Sequence, residues 1–178
     1  MVMPGGTTGG LREMNMTLHQ ASESAGGWLL AALGTSAGTG HPRAPRLWAT
    51  GHVVDAVIVA DRLGIEAVDW YRRLGSLAPP SVIDHQARKV AFLIAPVGEP
   101  FFAGALRVLR GEVPYRYLST GGYLVVPGRD AEAGDRYQWL SKPTEESTLN
   151  RDAVAVLTVY LLIALRNLTA AAEGTDDE

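Results

Sequence analysis

Apolar positions recur with a helical period in some stretches of the chain and crowd into short β-branched runs in others; this alternation outlines the elements. Leu11, Met14, Leu18, Ala21 and Ala25 lie close to helical spacing, which predicts a helix from Leu11 to Leu33, weakened at Gly26-Gly27 before the apolar run Trp28–Leu33. Residues 1–10 have no periodicity and are expected to form a disordered tail. Residues 34–50 are punctuated by Gly and Pro and predict a loop, with Trp48 tucked back onto the core. Val53–Ala60 is a β-branched run with one acid and reads as a strand buried on both faces. Asp61 is expected to N-cap a helix closed by Gly75, with Ile65, Val68, Tyr71 and Leu74 as its apolar stripe.

Beyond Pro79-Pro80, Ser81–Asp84 and Lys89–Ala95 predict two strands of a hairpin. Glu99–Arg110 fits a short helix closed by Gly111. Tyr115–Leu118 and Tyr123–Val126 read as strands flanking Ser119-Thr120-Gly121-Gly122, and residues 128–135 as a second, charged hairpin leading to the strand Arg136–Leu140. The helix from Asn150 to about Ala172 is the clearest in the chain, with no charge between Ala153 and Leu165. Those thirteen residues are fewer than the roughly 20 that cross a bilayer. A helix apolar all round is buried centrally or shared with a partner. Central packing is the simpler reading; a homodimer face would use Val156, Val159, Tyr160 and Ile163. Residues 173–178 are expected to be an acidic disordered tail. The fold class that follows is α+β: one domain over residues 11–172, a mixed or antiparallel sheet with hairpins packed against helices, and a long apolar C-terminal helix. Connections this short disfavour a doubly wound parallel sheet.

Composition narrows the chemistry. A chain of 178 residues with no cysteine has no disulfide framework, thiolate metal site or Cys nucleophile. The net charge of −3 does not favour a protein whose main work is gripping phosphates, although Arg88-Lys89 and other pairs offer local basic patches. Trp28–Leu33 is too short for a signal-peptide core and follows Glu13 and Glu23 instead of a basic segment, so a cytoplasmic protein without a membrane partner is expected. P-loop, GxGxxG, HExxH and GxSxG motifs are absent, and the four histidines stand apart in sequence; no cofactor is expected. Ser119–Gly122 has the composition of an anion-binding turn, and equally that of a tight strand connection. Asp55 lies inside an apolar strand and needs a partner, a metal or a seat at the strand's end. Asp84 and His85 are near enough in sequence to hydrogen-bond, and Asp55 and Asp84 are compatible with adjacent strands, but no third metal ligand is evident.

The run Gly121-Gly122-Tyr123-Leu124-Val125-Val126-Pro127, followed by Gly134-Asp135-Arg136-Tyr137-Gln138-Trp139-Leu140 and Pro143, resembles a block of the bifunctional DNA primase/polymerase (Prim-Pol) N-terminal domains of the archaeo-eukaryotic primase group. Upstream, the Asp-containing strand, Leu74-Gly75 and Pro80-Ser81-Val82 fall in the family's order, so the resemblance covers about residues 50–145. It is similar to small actinobacterial relatives of that domain. The resemblance implies two acids on the first strand, a His on the hairpin and a third acid before the GGY block. Asp55 matches one acid, but Val57, Val90 and Arg116 stand at the other positions. The expectation is therefore a Prim-Pol-like binding or regulatory module that has lost its metal site and leans away from enzymatic activity. Its partner would be a protein, a nucleotide or a nucleic acid, with Arg116, Arg88, Lys89, Gly121 and Gly122 as ligand contacts. Two alternatives stand beside it: a metal-dependent nucleotidyltransferase or nuclease using Asp55, Asp84 and Asp61, and a structural homodimeric accessory protein.

Overall fold

The computed structural model describes residues 41–147 and 149–173. The expected tail at 1–10, the expected helix at 11–33 and all of the expected tail at 173–178 except Glu173, which ends the last helix, lie outside the described residues. The described residues form seven strands: β1 (Arg46–Ala49), β2 (Asp55–Ala60), β3 (Ser81–Asp84), β4 (Lys89–Ile94), β5 (Arg116–Leu118), β6 (Tyr123–Val126) and β7 (Tyr137–Ser141). The same residues form three helices, α1 (Asp61–Arg73), α2 (Glu99–Val108) and α3 (Arg151–Glu173). Five strands form an antiparallel sheet in the order β5-β2-β4-β3-β7, and β1 and β6 form a separate antiparallel ribbon. The fold is α+β with an apolar C-terminal helix, as the pattern predicts.

Successive strand residues point to opposite faces, so the register sorts the sheet into two sides. Asp55, Val57, Val59, Val90, Phe92, Ile94 and Tyr117 face the helices, whereas Ala56, Ile58, Lys89, Ala91, Val82, Asp84, Arg116 and Tyr137 share the other face. Gly64 brings α1 onto the first side: a Cβ there would collide with the Val90 side chain. That approach turns Leu63, Ala67, Val68 and Tyr71 inward and leaves Ile65 and Leu74 exposed, which corrects the apolar stripe read from spacing. Ala60 holds the N-cap position and Asp61 is the first helical residue, where its carboxylate accepts the Arg62 N–H at 2.8 Å. Gly75, at φ +65°, ends the helix in the left-handed conformation expected after its C-cap.

α3 packs across α1 and α2 and buries Val154, Leu157, Thr158, Leu161, Leu162 and Ala164. It is 23 residues long, and with a mean hydropathy of 1.8 over its most apolar 18 residues it is long and apolar enough to cross a membrane, more so than its charge-free stretch alone suggests. Its inner face nevertheless belongs to the core.

Two expectations about connections are corrected. The segment expected as a loop at 34–50 contains β1, which pairs with β6 from Arg46↔Val126 to Ala49↔Tyr123. Four residues carry too little periodicity to announce a strand. Residues 128–135 are not a hairpin: β6 pairs with β1 and β7 pairs with β3, so the segment crosses between the sheets. Gly128 is held against the backbone of Pro42 and Arg43, where a side chain has no room.

Candidate functional site

A cleft of about 500 Å³ opens on the side of the large sheet away from the helices. Ile58, Ala91 and Val82 form its apolar floor, and Leu124 and Val125 of β6 close it from the ribbon. Arg116 stands on edge strand β5 and Tyr137 on the opposite edge strand β7. Four strand spacings separate them, about 19 Å. Lys89 and Asp84 are opposite one another in the strand register where the β3–β4 hairpin meets the cleft. A volume of this size with an apolar lining and few polar groups suits a small molecule.

The charges in the cleft are unequal in availability. Asp84 receives Arg136 Nε at 3.1 Å and Nη2 at 2.9 Å, and its Oδ1 also accepts the N–H groups of Gln86 and Ala87. The Arg136 hydrogen bond is the main reason its carboxyl is held below the usual range. The expected Asp84–His85 partnership is replaced by this pair; His85 is exposed. Lys89 and Arg116 form no ion pair among the described residues. Their Cα atoms lie about 12 Å apart by strand spacing and rise, close enough for two long side chains to converge on one anion. The cleft is thus locally cationic in a chain of net charge −3.

The remaining expected contacts do not join it. Arg88, at φ +54°, turns its Nε to Asp61 at 3.0 Å and holds that carboxyl below its ordinary range. Gly121 and Gly122 form the turn between β5 and β6. Gly121 has φ +83°, the Gly122 N–H donates to Ser119 at 2.8 Å, and the Gly122 carbonyl accepts the Thr50 N–H at 2.9 Å. Thr50 Oγ1 also donates to the Ser119 carbonyl at 2.6 Å, so this turn is tied into the framework.

Asp55 lies on the helix side, 1% exposed, at the first position of β2. Its Oδ2 accepts the Tyr117 hydroxyl at 2.6 Å and the Gly98 N–H at 3.2 Å; Oδ1 has no partner among the described residues. β4 separates β2 from β3, and Asp55 and Asp84 are on opposite faces, so they are not neighbours on adjacent strands. Asp55, Val57 and Val90, three positions the resemblance associates with a metal site, all face the helices, while Arg116 enters the cleft. A shift of one residue brings Ala56, Ile58 and Ala91 to the cleft side, and none has a ligand atom. Among the described residues no three His, Asp or Glu side chains gather closely enough to hold a metal ion.

On α3, Val156 and Val159 are exposed, whereas Tyr160 is half-buried with its ring 4.1 Å from Tyr71, and Ile163 is half-buried. Sequence reasoning missed Tyr137 and the Asp84–Arg136 pair as part of the site, because they depend on β7 pairing with β3, and Leu124 and Val125, because they depend on β6 reaching the cleft. No protein-family model matches the chain, and neither a curated protein nor a solved structure matches it.

Proposed function

We propose that the chain is a non-catalytic, Prim-Pol-like binding module whose cleft takes an anionic ligand with an apolar or flat body, a mononucleotide being the form that fits. The observation that carries this reading is the pair of cations, Arg116 and Lys89, without an ion-pair partner among the described residues, over an apolar floor that ends at the Tyr137 ring. The cations supply charge-assisted hydrogen bonds to a phosphate, and the floor and ring supply area for a base. The acids available to a metal-dependent reaction are committed elsewhere: Asp55 to Tyr117 and Gly98, Asp61 to Arg88 and Asp84 to Arg136.

The test is fluorescence anisotropy with a labelled adenine nucleotide. Arg116→Ala and Lys89→Ala are each expected to weaken binding about tenfold or more, the size of a lost charged hydrogen bond. Neither should lower the melting temperature appreciably, since both side chains are exposed. Unchanged affinity in both variants removes the cleft as the site. A rise of several degrees in melting temperature on adding Mg²⁺ or Mn²⁺ without nucleotide would count for a metal centre instead.

A further inference from the structure

The outer face of the β1–β6 ribbon is apolar yet uncovered among the described residues: Leu47 is 64% exposed and Tyr123 62%. Among the described residues β6 pairs only with β1, and its second backbone edge bears no strand from them. Leu124 and Val125 are consecutive and point to opposite faces of β6, yet both line the cleft; the cleft therefore follows that free edge. Open edges and contiguous apolar patches are features that proteins ordinarily cover.

The described chain begins beside this surface. Arg43 pairs with Glu132 and Asp135 at 2.9 Å each, and the Pro42 carbonyl accepts the Asp130 N–H at 3.2 Å. Tyr137, two residues beyond Asp135, lines the cleft. Residues 1–40 precede this anchor, and they include Trp28–Leu33 (WLLAAL), six apolar residues without a charge. The seven residues from 34 to 40 reach about 25 Å when extended, more than the width of the sheet.

We propose that Trp28–Leu33 of the same chain docks in the cleft against Ile58, Val82, Ala91 and the free edge of β6. The cleft is then self-occupied, and an anionic ligand must displace the run. This competition rests on the ligand reading above; the docking stands apart from it.

The chain has no cysteine, so Ala87→Cys, on the exposed rim of the cleft, accepts one benzophenone maleimide in the full-length chain. Lys89→Cys is a second placement should the first fail to fold. Irradiation, digestion and mass spectrometry are expected to join the label to residues 28–33 in a monomer-sized product. Cross-links only elsewhere, only in a dimer-sized product, or none at all overturn the docking. So does preferential capture of the run by the same label on Val156→Cys, across the molecule on α3. In the second arm, Leu29→Ser, Leu30→Ser and Leu33→Ser are combined, and the labelled nucleotide is expected to bind several-fold tighter than to the unaltered chain. Equal, measurable affinities overturn the competition. If neither chain binds nucleotide, the ligand reading fails, while the cross-link still decides the docking.

Discussion

Tyr117 on β5 donates its hydroxyl to Asp55 on β2 at 2.6 Å, and the same carboxylate oxygen takes the Gly98 N–H one residue ahead of α2. The acid thereby joins an edge strand, a central strand and the entry to a helix. Removing it strands two donors, each costing about 1–3 kcal/mol when buried. Asp55→Ala is expected to lower the unfolding free energy by about 2–5 kcal/mol in urea titrations, and Tyr117→Phe by about 1–3 kcal/mol. Wild-type stability in Asp55→Ala would show that the carboxylate is not part of the framework.

Ionisation of tyrosine tests the same layer without deleting the acid. Burial first, and the hydrogen bond to Asp55 second, push the Tyr117 hydroxyl well above its ordinary value; burial does the same to Tyr71. In the unfolded chain both groups lose their protons near pH 10. A raised folded-state pKa gives stability that is complete below the unfolded value and is lost as pH rises above it. Unfolding free energy measured from about pH 8 to about pH 11 should therefore decline beyond about pH 10, and less steeply in Tyr117→Phe. Parallel curves for the two proteins would rule out a contribution from this hydroxyl.

The elements were readable because their periods are local. β3 and β6 fall at the expected residues, and the charge-free run of α3 identifies its helix before any contact is known. The site was not readable in the same way. Lys89 and Arg116 were legible as basic residues, but their shared cleft depends on two strand registers and on Leu124 and Val125 of β6 closing it. Asp55 was legible as an acid needing a partner, whereas the face it occupies is set by pairing with Ile94, nearly forty residues away. β1 was hidden for the opposite reason: Pro42 and Pro45 mark a loop, and the strand after them has only four residues.

Asp84 tests the electrostatics of the cleft. Asp84→Asn keeps an acceptor for the hairpin N–H groups but removes the charge facing Arg136. The expected stability loss at neutral pH is about 1 kcal/mol, since the Arg136 side chain is half-exposed and solvent screens the pair. A lowered folded-state pKa contributes above the unfolded value, near 4, and is lost as pH falls through the folded one. The two proteins should therefore converge in stability below about pH 4. Anion affinity should rise roughly two- to tenfold, because a negative charge near the ligand has gone. Weaker nucleotide binding in a well-folded Asp84→Asn would mean that the carboxylate holds the ligand and that the anion reading has the wrong sign.

The two sides of α3 separate self-association from folding. Val159 is 39% exposed, whereas Leu161 is fully buried against the helix layer. Val159→Glu is expected to leave a folded chain within about 1 kcal/mol of wild type, while Leu161→Ala costs about 2–5 kcal/mol by opening a cavity. Light scattering then has a clear meaning. If the outer face of α3 joins two copies, the wild type is a dimer and Val159→Glu a folded monomer, because a carboxylate buried between two apolar helices without a partner is costly. If both proteins scatter as monomers, Val156 and Val159 are ordinary surface residues, and the homodimer reading based on this helix falls.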